Sequence, residues 1–228
     1  MQENPIELPE IREGRLKRFW RDNRQFLFLL LCIVFFKSAI ADFSSVSGAS
    51  MQPTLLDGDK IWVNKLAYDV RIPFTEIALA NVADPQRGDI VIIDSERAEK
   101  RLVKRVIGLP GDTVLLRDNR LEINGQPAAY EKISETGDSM IIIEALPEHE
   151  HQAKLSTSYY SRNLRNFGPV VVPEGHYFVL GDNHSADSRA HSFIPREEII
   201  GRSSSVLFSL DAQNRFLPRV DRFLSGLQ

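Results

Sequence analysis

Hydrophobic residues are distributed unevenly along this chain, and the longest apolar run lies near the N-terminus. Eleven apolar residues follow one another from Phe26 to Phe36. A bilayer core requires about 20 apolar residues, and mostly small or apolar residues, with Asp42 as an exception, extend this run to residue 43. Lys37 interrupts the extended run near its far end, where a lysine can reach the headgroups. We therefore predict a transmembrane anchor over residues 25–43.

The residues before the apolar run are strongly cationic. They include Arg15, Lys17, Arg18, Arg21 and Arg24. Cationic flanks are typically retained in the cytoplasm, which predicts a cytoplasmic segment over 1–24 and a single outward crossing. Two other interpretations stay open for this region. It also fits a cleavable signal peptide, with Ala39-Ile40-Ala41 as the cleavage site, or a buried core helix.

After the anchor, short apolar runs alternate with Gly, Pro, Asn and Asp, a pattern typical of a mainly antiparallel β protein. Asp118-Asn119 separate two such runs and predict a two-residue hairpin. We assign residues 44–125 and 168–210 to a β domain. The more polar residues 126–167 are assigned to a second, smaller β lobe.

The C-terminal segment, residues 211–228, has a different pattern. Its large apolar residues fall on one helical face and alternate with arginines. We therefore predict an amphipathic helix. Such a helix could pack on the protein body or lie on a membrane surface, where basic residues beside Phe and Leu suit anionic lipid.

Composition narrows the classes of partner and site. The 228 residues are 43% hydrophobic and 26% charged, as in ordinary globular proteins. A net charge of -3 provides no basic field for nucleic acid, so we expect no nucleic-acid partner. The single cysteine, Cys32, excludes an internal disulfide and a multi-cysteine zinc site. His149 and His151 form only a weak metal motif, and we predict neither a metal nor a cofactor.

Two polar segments contain candidates for nucleophilic chemistry. Ser50 lies between Gly48 and Pro53, which suggests a constrained turn. Lys104 and Arg105 occupy adjacent positions of an apolar strand, so we expect one of them to be drawn inside. A desolvated lysine can lose its proton and act as a base, whereas arginine cannot. Each residue alone is more typical of a turn or of a surface cation.

A third polar segment follows an apolar strand. It contains Gly181-Asp182-Asn183 and then Ser185-Ala186-Asp187-Ser188-Arg189. By itself it fits either a solvated loop or a hydrogen-bonded turn that supports a site.

Taken in order, these segments resemble the type I signal peptidases, the Ser–Lys peptidases of the S26 family. The matching motifs are Ser-Met-x-Pro-Thr-Leu, Arg-Gly-Asp-Ile-Val, Lys-Arg-Val-Ile-Gly-Leu-Pro-Gly-Asp and Gly-Asp-Asn with Ser-x-Asp-Ser-Arg. The resemblance implies a two-lobed antiparallel β domain behind one membrane helix, on the outer side of the cytoplasmic membrane. It also implies removal of signal peptides from exported preproteins after Ala-x-Ala-like sequences, with signal peptides and membrane lipid as partners.

The resemblance also implies a role for individual residues. Ser50 would be the nucleophile, a neutral Lys104 its base, and Ser185 a group that orients the lysine. Asp187 and Arg189 would form a supporting ion pair. The oxyanion and substrate-binding positions would be Gly48, Ser50, Met51 and Pro53.

This chain departs from the family pattern at two places. Some members have a serine, and thus a side-chain oxyanion donor, at the position of Gly48. The last motif is shorter than usual at His184, which we expect to be a loop residue outside the catalytic set.

Other functions remain open from the sequence. The chain could be a Ser–Lys peptidase dedicated to pilin or conjugation substrates. Self-cleaving LexA-type repressors share the dyad, but they have a DNA-binding segment where this chain has its apolar run. A catalytically inactive, membrane-tethered binding protein would not need both Ser50 and Lys104.

Overall fold

The computed structural model describes residues 13–72, 75, 77–118, 120–156, 166–184, 192–211 and 214–227, without the side chains of 13–18, 21, 35–39 and 192. One helix, α1 (Glu13–Ala39), precedes the strands. The strands are β1 (Ala41–Ser45), β2 (Asp59–Asn64), β3 (Asp69–Arg71), β4 (Ala78–Asn81), β5 (Ile90–Ser95), β6 (Lys100–Gly108), β7 (Thr113–Arg117), β8 (Arg120–Ile123), β9 (Gln126–Pro127), β10 (Ala129–Thr136), β11 (Ser139–Leu146), β12 (His149–Ser156), β13 (Phe167–Val171), β14 (His176–Leu180), β15 (Ser192–Pro195), β16 (Ile199–Asp211), β17 (Leu217–Pro218) and β18 (Ser225–Gly226). Short 3-10 turns lie at Lys65–Ala67, Arg196–Glu198 and Val220–Arg222.

The strands form four antiparallel sheets, which confirms the mainly antiparallel β class. The main sheet has the order β1-β2-β16-β5-β6-β14-β15, and β17 and β18 pair with β16. A four-stranded sheet has the order β13-β7-β8-β9, and a three-stranded sheet has the order β10-β11-β12. Strands β3 and β4 form a small separate pair.

Strand β5 shows why the centre of the main sheet is buried on both faces. Ile90 and Ile92 pack into one hydrophobic cluster, and Val91 and Ile93 pack into another. Successive side chains of a strand point to opposite faces, so a continuous apolar run places apolar groups on both. The first cluster also contains Met51 and Leu55, which follow Ser50 in the chain. The turn that contains Ser50 therefore packs on one face of the main sheet.

The smaller lobe differs from the predicted boundaries. Residues of β7 and β8, which the sequence pattern placed in the catalytic β domain, pair with β13 and β9 in a separate sheet. The predicted hairpin at Asp118-Asn119 is confirmed by the pairing of Arg117 with Arg120. A third cluster, which includes Ile107, Leu121 and Phe178, joins this lobe to the main sheet. Hydrogen bonding between strands far apart in sequence, which local patterns do not show, sets this boundary.

Helix α1 also differs from the predicted anchor over 25–43. It begins before the apolar run, ends at Ala39, and is followed directly by β1. Phe43 lies in β1, pairs with Trp62 of β2, and makes an edge-to-face contact with its ring at a centroid distance of 5.6 Å. The end of the predicted span therefore belongs to a strand of the main sheet and not to the helix. Among the described helices, none combines the length and apolar character needed to cross a membrane.

The predicted C-terminal amphipathic helix over 211–228 is wrong for the described residues. Strand β17 pairs with Leu210 and Asp211, and β18 pairs with Ser205 and Val206. Arg222 turns inward and binds the buried carboxylate of Asp59 at 2.6 Å. Pairing with β16 and this ion pair outweigh the helical periodicity, because helix propensity is weak compared with tertiary contacts.

Candidate active site

Ser50 lies in a turn that the hydrophobic core holds from below. Met51 is 1% exposed, Leu55 is fully buried, and the Leu55 amide donates to the Met51 carbonyl at 2.8 Å. At the start of the turn, Gly48 has a φ of +88°, which favours glycine, and its amide donates to Asp57 Oδ1 at 3.0 Å. The turn is thus fixed at both ends while Ser50 stays half-buried at the surface.

A segment from the last motif supports the same turn from the side. The backbone amide of Asn183 donates to the Ser50 carbonyl at 2.9 Å. Its side-chain amide donates to the Ala49 carbonyl, also at 2.9 Å. The Asn183 side chain therefore has a defined role, which the Gly-Asp-Asn motif alone did not reveal.

Lys104 enters the site from the central strand β6, where it pairs in register with Val91 of β5. Lys104 is 3% exposed, so its amino group lies in the protein rather than in bulk water. Ser50 and Lys104 both line one cleft of about 730 Å³. Apolar groups line the same cleft, among them Leu102, Val103 and Ile194. The structure thus brings the predicted nucleophile and base to a single cavity.

Arg105 is buried together with Lys104, although the sequence pattern predicted that only one of them would be. Its guanidinium makes two hydrogen bonds to Asp182, at 2.9 and 2.8 Å, and both side chains are 1% exposed. Burial alone would raise the pKa of Asp182, but the charge and hydrogen bonds of Arg105 lower it below its usual value. The Thr54 hydroxyl also donates to Asp182. Asp182 therefore joins the nucleophile segment, the lysine strand and the last motif.

A second buried polar cluster lies next to this ion pair. Glu144 is fully buried, and its Oε2 lies 3.4 Å from His151 Nε2 and 3.6 Å from His184 Nε2. The Tyr130 hydroxyl donates to the other Glu144 oxygen at 2.7 Å. Burial raises the pKa of Glu144, while His184 and the tyrosine hydroxyl oppose that rise. Burial lowers the pKa of His151 to about 3.

This cluster predicts a specific dependence of stability on pH. The folded protein keeps His151 neutral below pH 6.5, where the unfolded chain binds a proton there, so the His151 contribution to stability decreases as the pH falls toward 3. We expect that contribution to fall by about 1.4 kcal/mol per pH unit in this range. Urea unfolding of the wild type and His151→Gln at pH 7 and pH 4 measures it. The variant should lose less stability on acidification, and equal losses would contradict the assignment.

The two clusters contain residues to which the sequence pattern gave no structural role. His184, expected to be a loop residue, is buried at 8% exposure. Glu144 lies between the apolar residues Ile141-Ile142-Ile143 and Ala145-Leu146. A single carboxylate in such a run could have indicated a buried polar group from the sequence. His149 stacks on His151 with ring centroids 5.5 Å apart. Across the described ranges, no group of three metal-ligating side chains is arranged to hold an ion.

Three of the predicted site residues lie outside the described part of the chain. These are Ser185, Asp187 and Arg189. Of the predicted oxyanion and substrate-binding positions, Gly48 and Pro53 flank the nucleophile turn, whereas Met51 is a core residue beneath it. Met51 therefore supports the turn by packing.

Comparison with known proteins places this sequence in a family. The family described as signal peptidase, peptidase S26, matches residues 20–208. The chain belongs to the S26 signal peptidase family. Signal peptidase I of Pseudomonas aeruginosa is 31% identical over 88% of this chain and 76% of its own length. Signal peptidase I of Bacillus licheniformis is 39% identical over 72% of this chain and 74% of its own.

Membership of the S26 signal peptidases confirms the family and the enzyme class that the motifs indicated. This chain is a peptidase, and the matched range spans the Ser50 turn, strand β6 and the Asp182 segment. Signal peptidase I of Pseudomonas fluorescens, 33% identical over 82% of this chain and 72% of its own length, gives the same assignment.

Proposed function

We propose that this S26 peptidase removes N-terminal signal peptides from exported preproteins, with Ser50 as nucleophile and Lys104 as general base. The observation that carries the proposal is the cleft that both residues line. The relatives named signal peptidase I support the substrate class. A serine next to a base in one cavity is the arrangement that nucleophilic peptide hydrolysis requires.

The reaction would follow the two-step course of serine peptidases. The neutral Lys104 amine takes the hydroxyl proton while Ser50 Oγ attacks the carbonyl carbon before the scissile bond. The lysine then gives that proton to the departing amine, which leaves an acyl-enzyme on Ser50. In the second step Lys104 takes a proton from water, and the hydroxide formed attacks the acyl carbon. The bond to Ser50 Oγ then breaks, Lys104 returns the proton to that oxygen, and the signal peptide leaves with a new carboxyl group. Backbone N–H groups at the turn, that of Ser50 first, would stabilise the oxyanion.

The preference for small residues at the cut is what the family resemblance implies, and the apolar lining of the cleft is compatible with it. Leu102, Val103 and Ile194 form walls that short apolar substrate side chains can contact. We expect the purified protein in detergent to cleave a preprotein immediately after an Ala-x-Ala sequence. Product sequencing gives the cleavage position, and the matched substrate replaces both alanines by leucine. Equal cleavage of the two substrates, or cleavage elsewhere, would contradict the proposed specificity.

Although α1 as described does not by itself have the length and apolar character of a membrane span, we further propose that it attaches the enzyme to the cytoplasmic membrane as a single-pass anchor, with the catalytic domain on the outer side. Large apolar side chains on this helix are 42–67% exposed, namely Phe26, Phe28, Leu29, Leu30, Leu31, Ile33 and Val34. Cationic residues precede them, as at the cytoplasmic end of an anchor. Contact with lipid would remove this apolar surface from water.

The orientation can be tested with reporter fusions. A reporter joined after residue 60 should be found outside the cytoplasmic membrane, because the cationic flank would hold residues before 25 on the cytoplasmic side. The matched control reverses the flank charge with Arg15→Glu, Lys17→Glu and Arg18→Glu, and should lower export of the reporter. A cytoplasmic reporter in the unaltered fusion would refute the outward orientation.

A further inference from the structure

A short segment, Asp182–His184, connects the nucleophile turn with the smaller lobe, and we name it the strap. On one side the Asn183 amide donates to the Ser50 carbonyl at 2.9 Å. On the other side the Lys154 amide of β12 donates to the Asp182 carbonyl at 2.7 Å, and the His184 amide donates to the Lys154 carbonyl at 3.0 Å. The strap therefore transmits the position of β12 to the backbone of Ser50.

The His184 side chain gives the strap a second attachment to the smaller lobe. Its Nε2 lies 3.6 Å from Oε2 of Glu144 on β11. Glu144 is fixed in turn by Tyr130 of β10, whose hydroxyl accepts a hydrogen bond from the Leu121 amide of β8 at 2.7 Å. A line of buried polar groups thus runs from the back of the smaller lobe to the strap.

Burial makes this contact consequential. Glu144 is fully buried, and among the described residues its Oε2 accepts no hydrogen bond, although the two histidine rings face it at 3.4 and 3.6 Å. A carboxylate in low-dielectric surroundings interacts strongly with polar groups that face it, and it is destabilised when they are removed. Removing the imidazole would therefore leave Glu144 without this polar contact and would reduce the attachment of the strap on this side to its two backbone hydrogen bonds with Lys154.

We propose that His184 is a positioning residue of the catalytic centre, which fixes the strap through Glu144 and thereby the backbone of Ser50. This inference rests on Ser50 being the nucleophile. His184 touches neither substrate nor reacting atoms in this assignment. Its effect belongs to the chemical step, because a displaced Ser50 would be misaligned with both Lys104 and the substrate carbonyl.

A double-mutant cycle on the single-turnover cleavage rate tests the coupling. We expect His184→Leu and Glu144→Leu each to lower the rate roughly 10–100-fold, with KM changed less than about twofold. The double variant should be no slower than the slower single variant, because both changes break the same contact. The control is His176→Leu, at a histidine of β14 whose Nδ1 lies 3.0 Å from the Glu174 carbonyl oxygen, and it should keep the wild-type rate.

A conservative variant separates polar positioning from packing. His184→Gln keeps an amide that can donate to Glu144, so it should recover most of the rate that leucine loses, whereas a packing role would favour leucine. If the leucine variants do not fold, His184→Gln is compared with His184→Asn, whose shorter amide cannot reach Glu144 and should be slower.

Several outcomes would overturn the proposal. These are strictly additive rate losses in the cycle, a lower melting temperature without a change of rate, and a wild-type rate that falls on dialysis against a chelator and returns with zinc. The last result would mean that an ion joins Glu144 to the histidines. Failure of the proposed function is separate, since it would show as retained activity in Ser50→Ala whatever His184 does.

Discussion

Replacing Lys104 by methionine is expected to abolish preprotein cleavage while the protein stays folded. Methionine has nearly the same length and suits a side chain that is 3% exposed, but it cannot take a proton from Ser50. Ser50→Ala removes the attacking oxygen and should have the same effect. Loss of one member of a nucleophile–base pair lowers kcat by about 10⁴-fold or more. The measurement is kcat on an Ala-x-Ala preprotein, with far-ultraviolet circular dichroism to establish folding.

Two comparisons make this experiment decisive. Lys132→Met alters an exposed lysine of β10 that pairs with Glu135, and it should leave kcat unchanged. The double variant Ser50→Ala with Lys104→Met should be no slower than either single variant, since the pair acts as a unit. Substantial activity in a folded Lys104→Met protein would show that another group serves as the base.

Replacing Arg105 by methionine is expected to destabilise the protein more than any other single change to an ion pair described above. Both partners of the Arg105–Asp182 pair are 1% exposed, so Asp182 would be left as a buried carboxylate without its cation. Removing one partner of such a pair costs about 3–5 kcal/mol. For a chain of this size we expect a fall in Tm of roughly 6–20 °C, measured by thermal unfolding.

The double variant Arg105→Met with Asp182→Leu separates the loss of a contact from the cost of a stranded charge. It should be more stable than Arg105→Met alone, because both buried charges are then gone. Arg202→Met is the matched surface control. Its pair with Asp89 is 44% exposed on the arginine side and should contribute no more than about 1 kcal/mol. Similar losses of stability for Arg105→Met and Arg202→Met would show that the buried ion pair contributes no more than the surface pair.

The sequence pattern succeeded where a structure depends on neighbouring residues. The hairpin at Asp118-Asn119 was predictable because two turn residues and their flanking apolar runs suffice to set its register. The Ser50 turn was predictable for a similar reason, since Gly48 and Pro53 restrict the backbone around it. The C-terminal helix failed because its residues pair with β16, a partner that periodicity cannot show.

The site shows the same division between local and long-range information. Lys104 could be chosen over Arg105 from side-chain chemistry alone, because only lysine can give up its proton. Arg105 is buried as well, because it pairs with Asp182, and that partner lies 77 residues away in the chain. No local pattern indicated that Glu144 and His184, from different lobes, meet in one buried cluster.

By itself, then, the sequence determined the β class, the S26 family, the enzyme class and the candidates Ser50 and Lys104, because these depend on residue type, local order and motif spacing. The tertiary structure decided that both candidates line one cleft, that Asp182 joins three segments, and that the C-terminal segment adds strands to β16. The physical reason is that buried charges must find partners and strand edges must find hydrogen bonds. Those partners lie far apart in the sequence and meet only in the folded protein, so local sequence patterns do not reveal them.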